Sequence, residues 1–216
     1  MADLLVCGGA VVDCILRPAD ASQRGASRTS MPGEARVSLG GVGRNLAEVA
    51  RRLGCRSALH SAVGNDEPGA RLLGHLEQLG IQSEVAVMEA RTATYTALLD
   101  GAGELVGAVA DMGILDAIPA EAVAQSCENS QSKLVLCEAN LSPAALKAAL
   151  QSCRRRQVPA WFDPVSVAKA PRGACGIWQL AAPNWDELLA MLGRASEPLQ
   201  WESEAQETSE EFSGLI

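Results

Sequence analysis

Short apolar runs of strand-like length alternate with segments of helical periodicity along most of this chain. The strand candidates are the apolar runs at residues 4–9, 57–63, 133–137, 159–163 and 179–183. Helical periodicity is found at residues 44–53, 68–79, 142–156 and 185–192. Strands that alternate with helices form a mainly parallel sheet with helices on both faces. The pattern therefore predicts an α/β fold with three αβα layers, and 216 residues suffice for one such domain.

Residues typical of helix ends flank these predicted helices. Gly54 and Gly80 directly follow the first two helices and are placed as C-caps. Ser142 and Pro143 are placed as the N-cap and the first residue of the third helix. These signals support the predicted helix boundaries.

The residue pattern at positions 94–109 differs from the alternation of strands and helices around it and predicts a β-hairpin. Apolar runs at residues 94–99 and 104–109 are separated by the Gly-rich turn at residues 100–103. Because a hairpin does not fit inside a parallel sheet, we expect a small separate sheet that covers one edge or the mouth of the main sheet. Residues 17–37 are rich in Pro, Ser, Arg and Gly, and they are predicted to form a loop or an irregular excursion.

The net charge of −8 is unevenly distributed. Six of the 26 acidic residues lie in the stretch 197–216, which contains no Lys or Arg, so the remainder is close to neutral. A near-neutral body gives no electrostatic reason to expect nucleic-acid or membrane binding. The basic cluster at residues 154–156 is interpreted as the solvated end of a helix, and residues 196–216 are predicted to be a disordered tail.

Cysteine and histidine usage excludes several classes of protein. The seven Cys are odd in number and include no C-x-x-C pair, which argues against a disulfide framework and against a zinc site. The two His are too far apart in sequence to suggest a metal site. No basic segment precedes the first apolar run, which is interpreted as a strand and not a signal peptide, and no run is long enough to span a membrane. The cytoplasm is therefore the expected compartment.

The strongest local signal for ligand binding is Gly40-Gly41-Val42-Gly43-Arg44-Asn45, which opens directly into a predicted helix. Glycines let a ligand approach the backbone, and a helix start offers unpaired N–H groups. The segment is not a P-loop, because no Gly-Lys-Ser/Thr follows, and it lacks the third spaced Gly of a dinucleotide fingerprint. An ordinary Gly turn before a helix is the alternative interpretation.

Asp13 lies just beyond the first predicted strand. Ligands of open α/β sheets bind outside the carboxyl ends of the strands. A carboxylate in that position can accept hydrogen bonds from two adjacent hydroxyls of a sugar. The alternative is a loop Asp that caps the backbone.

Several motifs, in this order, resemble the PfkB/ribokinase family of carbohydrate kinases. The N-terminal signature consists of Gly8-Gly9-Ala10-Val11-Val12-Asp13, the Gly40 to Asn45 segment, and Ser61-Ala62-Val63-Gly64-Asn65-Asp66 with Gly69. Within the family, the chain looks most like the pseudouridine kinases. That closer likeness rests on Thr94-Tyr95, Leu98-Leu99-Asp100, Asp111-Met112, Asn140-Leu141-Ser142, Phe162-Asp163-Pro164-Val165-Ser166 and Pro183-Asn184.

The resemblance implies a ribokinase-like domain at residues 1–195 with a small β-lid from about residues 14–38 and 92–110. It implies ATP-dependent phosphorylation of pseudouridine to pseudouridine 5′-phosphate, with ATP and Mg²⁺ as cofactors. It also implies a small-molecule nucleoside or sugar as ligand, and a homodimer formed through the lid. Another sugar kinase of the family, acting on ribose, adenosine or a fructose derivative, remains an alternative.

The same resemblance assigns candidate roles to individual residues. The group expected to bind the ribose hydroxyls is Asp13, Gly40, Gly41 and Asn45. Further substrate-binding candidates are expected on the lid and the pocket walls, at Thr94, Asp111, Asn140, Asp163 and Lys169. Two alternatives stay open here: Tyr95 is better explained by cross-strand packing, and Lys169 can equally be a solvated surface residue.

Asn184 and Glu187 match the Asn-x-x-Glu motif that places metal and phosphates in the family. A carboxylate that acts on magnesium through water is chemically reasonable. The alternative for Glu187 is a Glu on the helix surface.

The sequence departs from the family in one respect. The catalytic motif Gly-Ala-Gly-Asp, whose Asp is the base and whose glycines form the anion hole, does not occur in these 216 residues. We therefore expect a truncated form that has no catalytic residue of its own, exposes an open sheet edge and is marginally stable. A non-catalytic module that binds nucleoside or dimerises is the corresponding alternative function.

Overall fold

The computed structural model of the chain describes residues 2–20 and 30–194. Within these ranges, a six-stranded sheet has the order β10-β9-β8-β1-β4-β5, and its neighbouring strands pair in parallel. Its strands are β1 (Leu4–Cys7), β4 (Ser57–Gly64), β5 (Gln82–Met88), β8 (Leu134–Glu138), β9 (Ala160–Asp163) and β10 (Leu180–Ala181). The predicted mainly parallel sheet is thus confirmed. The predicted tail at residues 196–216 lies outside the described residues.

A second, four-stranded sheet has the order β3-β2-β6-β7. It consists of β2 (Val11–Pro18), β3 (Gly33–Gly40), β6 (Thr94–Leu99) and β7 (Leu105–Asp111). The central pair β2–β6 is parallel, and the two outer pairs are antiparallel. We call this sheet the lid. The hairpin predicted at residues 94–109 forms its β6–β7 half.

The prediction of an irregular segment at residues 17–37 is wrong at both ends. Strand β2 continues to Pro18, and β3 begins at Gly33 and pairs with β2 along its whole length. Six of the eight β3 residues are exposed. Ala35, Val37 and Leu39 alternate with polar residues as in a strand, but this short pattern ends a stretch rich in Pro, Ser, Arg and Gly, which favoured the loop interpretation. Its main-chain hydrogen bonds to β2 decide its conformation, which is an example of tertiary pairing overriding local composition.

Helices cover both faces of the main sheet. They are α1 (Val42–Arg52), α2 (Glu67–Leu79), α3 (Gly113–Asp116), α4 (Ala120–Asn129), α5 (Pro143–Arg156) and α6 (Trp185–Met191), with a 3₁₀ helix at Ala170–Cys175. Two predicted caps are confirmed. Gly80 ends α2 in the left-handed conformation, and the Ser142 hydroxyl accepts a hydrogen bond of 3.2 Å from the Ala145 N–H at the start of α5.

The core consists of two apolar clusters. The larger one includes Leu115, Leu146 and Phe162, and the smaller one includes Leu59 and Leu72. All seven cysteines are free thiols, and four of them are buried. In the part of the chain that the structure describes, no helix is both long enough and apolar enough to cross a membrane.

The basic cluster at residues 154–156 occupies the last turn of α5, where it was predicted. Its side chains make more contacts with the protein than the predicted solvated helix end would. Arg155 forms an ion pair with Glu128, and Arg156 donates a hydrogen bond to the Cys127 carbonyl at 2.5 Å. The cluster therefore joins α5 to the neighbouring helix α4.

Candidate functional site

A cleft of about 370 Å³ lies where the lid meets the carboxyl ends of the main-sheet strands. This volume is within the range of small-molecule sites. The polar side chains that line the cleft are Asp13, Asn45, Tyr95, Asn140, Ser166 and Lys169. Apolar walls are contributed by residues such as Val11 and Met112. The cleft thus combines an apolar surface with a few converging polar groups.

Gly40 and Gly41 bring the start of α1 close to the first two strands. A Cβ on Gly41 would lie 2.4 Å from the Gly9 carbonyl oxygen, and the φ of 94° at Gly41 is unfavourable for any other residue. A Cβ on Gly40 would overlap the Asp13 carboxylate. Steric crowding therefore favours glycine at both positions, which an ordinary turn before a helix would not explain.

The Asp13 carboxylate is partly buried at the mouth of the cleft. Burial raises the pKa of Asp13 above its ordinary value, and the positive charge of Arg44 opposes that shift. Strand pairing places Asp13 opposite Ser38 on one side and Tyr95 on the other. Asp13 thus presents an acceptor from β2, which is paired with a strand on each side in the lid.

Arg44 is a buried clamp that the sequence reading did not single out. Its guanidinium donates to the carbonyl oxygens of Leu39 (2.9 Å) and Gly40 (3.2 Å), and it forms an ion pair of 2.5 Å with Glu48. It also donates to the Asn45 Oδ1 atom at 2.5 Å. Because this contact to the amide oxygen orients Asn45, its N–H₂ group is the side that can donate to a ligand.

The opposite wall of the cleft is formed by Asn140 and Lys169. Lys169 donates from Nζ to the Asn140 Oδ1 atom, and the Asn140 Nδ2 atom donates to Glu138 at 2.7 Å. Burial lowers the pKa of Lys169, an effect that the Glu138 charge opposes. The structure therefore places Lys169 in the cleft, half-buried, and the surface interpretation of this side chain does not hold.

Glu138 was missed in the sequence analysis although it ends an apolar strand. It is fully buried beneath the cleft at the end of β8. Burial raises the pKa of Glu138 to about 7. A charged residue that closes an apolar strand is the sequence signal that could have identified it.

Thr94 and Asp111 are not among the residues that line the cleft. They face each other across β6 and β7, and Asp111 is exposed. Their chain neighbours Tyr95, Ala110 and Met112 do line the cleft. Since side chains alternate along a strand, Thr94 and Asp111 face away from it. The Tyr95 side chain both packs against the core and borders the cleft.

Asp163 acts on the cleft indirectly. Its carboxylate accepts a hydrogen bond of 2.8 Å from the Val165 N–H, just after β9. Val165 has a φ of 66°, which is unusual for a β-branched residue, and Val165 and Ser166 line the cleft. Asp163 therefore stabilises the turn that forms part of the wall.

Asn184 and Glu187 form a capping box at the start of α6. The Asn184 side chain accepts from the Glu187 N–H at 2.9 Å, and the Glu187 carboxylate accepts from the Asn184 N–H at 3.0 Å. Glu187 is buried, not on the helix surface. Neither residue lines the cleft described above.

Metal binding can be assessed for the described residues. Within the described residues, 2–20 together with 30–194, no cluster of three or more His, Cys, Asp or Glu side chains could hold a metal ion. One oxygen of the Glu187 carboxylate is used in the capping box. This donor set fits a contact to a metal through water and does not fit a direct multidentate site.

The segment that comes nearest to the family's catalytic motif is Gly101-Ala102-Gly103-Glu104. It lies in the turn between β6 and β7, where Asp100 accepts hydrogen bonds from the N–H groups of Ala102 and Glu104. No helix begins there, so the segment lacks the N-terminal N–H groups that would bind a phosphate.

Comparison with known proteins identifies the relatives of this chain. The model of the pfkB family of carbohydrate kinases matches residues 1–212. The pseudouridine kinase of Escherichia coli (strain K12) is 39% identical over 143 residues, which are 65% of this chain and 45% of that protein. The pseudouridine kinase of Arabidopsis thaliana is 30% identical over 191 residues, 87% of this chain and 50% of that protein. The chain thus spans about half the length of the curated relatives it matches.

Solved structures show the same fold. Arabidopsis thaliana ribokinase, complexed with ribose and ATP, superposes with a TM-score of 0.75 at 16% sequence identity. The match covers 99% of this chain and 69% of the ribokinase chain. The predicted ribokinase-like α/β fold is therefore confirmed.

Proposed function

Because the chain belongs to the pfkB family of carbohydrate kinases, we propose that its cleft binds the ribose of a nucleoside, and that the nucleoside is pseudouridine. In this proposal the chain is the acceptor-binding part of a kinase that transfers phosphate from ATP to the 5′-hydroxyl of pseudouridine. The observation that carries the proposal is the pairing of an acceptor, Asp13, with an N–H donor, Asn45, beside the bare backbone of Gly41.

The ribose end of the cleft suits two neighbouring hydroxyl groups. The Asp13 carboxylate can accept hydrogen bonds from both hydroxyls of a cis-diol. The Asn45 amide can donate to a hydroxyl oxygen because its own oxygen is held by Arg44. Gly41 has no side chain, so the sugar can approach the backbone at the start of α1.

The wall formed by Asn140 and Lys169 suits a uracil ring. Lys169 has N–H donors beyond the one that it gives to Asn140, and a uracil carbonyl is a matching acceptor. Tyr95 and Met112 supply apolar surface for the ring. The choice of pseudouridine among nucleosides is supported by the two pseudouridine kinases, which are 39% and 30% identical to this chain.

ATP is proposed as the phosphate donor, since the Arabidopsis thaliana ribokinase of the same fold was solved with ATP. Asn184 and Glu187 would help to hold Mg²⁺ through water, and the metal would neutralise charge on the phosphates when bound. The 216 residues contain no Gly-Ala-Gly-Asp motif, so we expect them to bind nucleoside without turnover by themselves.

A homodimer through the lid is part of the same proposal. The outer strands of the lid carry exposed apolar side chains, namely Val37 at 51%, Leu105 at 58% and Val109 at 72% exposure. Burying these residues against a second copy would remove apolar surface from water. Sedimentation of the wild-type chain and of a Val109→Asp variant would test this association: the proposal expects a dimer that the variant dissociates.

The enzymatic proposal is tested by supplying the purified chain with pseudouridine, ATP and magnesium. Pseudouridine 5′-phosphate is then measured by mass spectrometry. We expect no product from the 216 residues, together with saturable binding of pseudouridine. Product formed at the rate of a complete kinase would mean that other residues of the chain supply the base and the anion hole.

The substrate is tested with a ligand panel of pseudouridine, uridine, adenosine and ribose at equal concentrations. The proposal predicts that pseudouridine binds most tightly. Tighter binding of ribose or adenosine would instead favour another sugar kinase of the family. Binding of none of them would contradict the proposed role of the cleft.

A further inference from the structure

Four cysteines from four different elements lie in the core between the main sheet and the helices that cover one of its faces. Cys7 ends β1, Cys127 belongs to α4, Cys137 lies in β8 and Cys153 belongs to α5. All four are buried as free thiols within the larger apolar cluster. We call this group the thiol cluster, and it takes no part in the cleft.

The Cys7 and Cys127 sulfur atoms are 4.0 Å apart, in a weak S–H···S contact between residues 120 positions apart in sequence. A disulfide has an S–S distance of about 2 Å, so the two sulfurs must approach each other by about 2 Å. Changes of χ1 at the two side chains move the sulfurs by distances of this order. The pair can therefore form a disulfide without separation of β1 from α4.

Cys137 is a less suitable partner for Cys7. The two residues are in register on neighbouring parallel strands, so their side chains leave the sheet side by side. Their Cβ atoms then keep the strand spacing of about 4.8 Å. A disulfide requires a Cβ–Cβ distance of about 3.5–4.5 Å. Cys127 instead approaches Cys7 from a helix that packs on the sheet, which favours the contact between the layers.

The surroundings distinguish the two sulfurs of this pair. S–H donation from Cys153 and from Cys7 lowers the pKa of Cys127, and the charge of Arg156 acts in the same direction. The pKa of Cys7 is raised, chiefly because its S–H group donates to Cys127. Cys127 is thus the thiolate, the form that attacks an oxidant, and Cys7 is the thiol that completes the disulfide.

His60 is a buried group beside the pair that has no partner of its own. It is in register with Cys7 on the neighbouring strand β4. Among the residues that the structure describes, none makes a hydrogen bond to the buried Nε2 atom of His60. Burial lowers the pKa of His60, so the ring is neutral near pH 7 and can accept a proton. His60 is therefore placed to take the proton that Cys7 loses.

A groove of about 340 Å³ leads from the surface toward the thiol cluster. It is lined by residues near the starts of β4 and β5 and by the end of α4, so it lies at the end of the sheet away from the cleft. Glu84 in its wall is in register with His60 and accepts a hydrogen bond from Ser126, the chain neighbour of Cys127. The groove thus brings a small oxidant to within one residue of Cys127 along α4.

We propose that Cys7 and Cys127 are an oxidisable dithiol, which a hydroperoxide converts to a disulfide between β1 and α4. The Cys127 thiolate attacks a peroxide oxygen, which leaves a sulfenic acid and a hydroxide ion. His60 takes the proton of Cys7, and the Cys7 sulfur displaces hydroxide from Cys127 as the S–S bond forms. With hydrogen peroxide, the two thiols lose two electrons and two protons, and the peroxide becomes two waters. A thiol reductant reverses the change.

The first test maps disulfides in the folded wild-type chain after treatment with hydrogen peroxide. Free thiols are blocked by alkylation, and the unreduced tryptic digest is analysed by mass spectrometry. We expect a peptide cross-linked between Cys127 and Cys7, with a mass about 2 Da below the sum of its two parts. Fragmentation distinguishes Cys7 from Cys14, which lies on the same tryptic peptide. Dithiothreitol should release the two peptides.

Other results of this map would overturn the proposal. A dominant cross-link between Cys127 and Cys153, or between Cys7 and Cys137, would show that a different pair reacts. Recovery of Cys7 and Cys127 as alkylated thiols from the oxidised chain would show that the pair does not react. The same map of a chain oxidised in urea is the reference, and an equal yield of the Cys7–Cys127 cross-link there would mean that the fold does not select this pair.

The second test compares Cys127→Ala with the matched control Cys55→Ala. Cys55 is exposed and lies outside the thiol cluster. Since the disulfide closes a long loop, oxidation should raise the urea midpoint of unfolding of the wild type and of the control, but not of Cys127→Ala. Equal oxidative shifts in all three chains, or none in the wild type, would contradict the proposal. If Cys127→Ala does not fold, the disulfide map of the wild type decides. Neither test uses a nucleoside, so their outcome is independent of the proposed function.

Discussion

The Asp13 carboxylate occupies the space that a side chain at residue 40 would need: a Cβ on Gly40 would lie 2.0 Å from the Asp13 Oδ2 atom. The two residues belong to paired strands of the lid, where Gly40 is the partner of Val11 and Asp13 that of Ser38. The absence of a side chain at one position therefore sets the orientation of the carboxylate at the other.

The variant Gly40→Ala should displace Asp13 and weaken nucleoside binding. We expect at least a tenfold higher dissociation constant and a loss of about 1–3 kcal/mol in the free energy of unfolding, because the added methyl overlaps a partly buried carboxylate. Calorimetric titration and urea denaturation measure the two effects.

Gly74→Ala is the matched control for that substitution. A Cβ on Gly74 would meet nothing within 4 Å, and the residue lies inside α2. Alanine there should leave binding unchanged and raise the free energy of unfolding by about 0.5–1 kcal/mol. Equal effects of the two variants on binding would show that Gly40 does not position Asp13.

The variant Arg44→Lys should disturb the start of α1. Arg44 is 7% exposed and donates to the Leu39 and Gly40 carbonyls and to Asn45. Lysine cannot reproduce this fork, so buried acceptors lose their donors at a cost of about 1–3 kcal/mol in the free energy of unfolding. Loss of the contact to Asn45 should also raise the dissociation constant for pseudouridine.

Arg52→Lys offers a control on the same helix. Arg52 is 65% exposed at its side chain and pairs with Glu48, the carboxylate that also binds Arg44. An exposed pair of this kind contributes about 0–1 kcal/mol, so we expect little change in either measurement. If Arg52→Lys is as disruptive as Arg44→Lys, the effect comes from Glu48 and not from the backbone clamp.

Glu138 should make stability depend on pH in a defined direction. Burial raises the pKa of its carboxyl from 4.5 to about 7, so the folded state favours the protonated form. This contribution to stability is complete below pH 4.5 and is lost as the pH rises through about 7. Between those values, the loss is on the order of 1–3 kcal/mol.

The measurement is urea unfolding of wild type and Glu138→Gln from pH 4.5 to 8. The difference in their unfolding free energies isolates Glu138 from other carboxyls, including Asp13, whose pKa is also raised by burial. We expect the wild type to lose stability relative to the variant as the pH rises. A difference that does not change with pH would mean that Glu138 has an ordinary pKa in the folded chain.

Asp66 and Thr92 form a link that should matter for stability. The Thr92 hydroxyl donates to Asp66 at 2.5 Å and accepts from the Gly64 N–H at 2.9 Å, and Asp66 also caps α2 through the Gly69 N–H. Thr92→Val keeps the shape and removes both hydroxyl contacts. The expected loss is about 1–3 kcal/mol in the free energy of unfolding.

The same link has a pH signature. Hydrogen bonds from Thr92 lower the pKa of Asp66, so their stabilising effect is present above the ordinary value of 3.8 and is lost as the pH falls below it. Thr92→Val should therefore be less sensitive to acid than wild type. An unchanged acid unfolding curve in the variant would contradict this role for the hydroxyl.

Much of the fold could be predicted from the sequence because the buried parallel strands are apolar and the helices have strong end signals. Gly80 and Ser142 mark boundaries by their own chemistry, and the structure confirms both. Strands β3 and β5 were missed; they lie at sheet edges, and almost none of their residues is buried. Helix α4 was missed because it lacks the start signal that marks α5: its N-cap is Pro119, which makes no side-chain capping hydrogen bond.

Gly41 and Asn45 were predictable because they open a helix. Asp13 was also identified, although it lies within β2 and not in a loop beyond the first strand as expected. Which way a side chain points on an exposed strand depends on register, so Thr94 and Asp111 were expected at the cleft although their neighbours line it. The position of Glu138 at the end of an apolar strand is a local signal, but its hydrogen bond to Gly9, 129 residues away in sequence, is not evident from the sequence.

The most direct test of the account is a calorimetric titration of pseudouridine into the wild-type chain and into Asp13→Asn side by side. The account predicts saturable binding to the wild type with one site per chain, and an affinity at least about tenfold lower in the variant, since an amide can no longer accept hydrogen bonds from both ribose hydroxyls. Equal affinity in the two chains, or no binding to a folded wild type, would contradict the assignment of this cleft to a nucleoside.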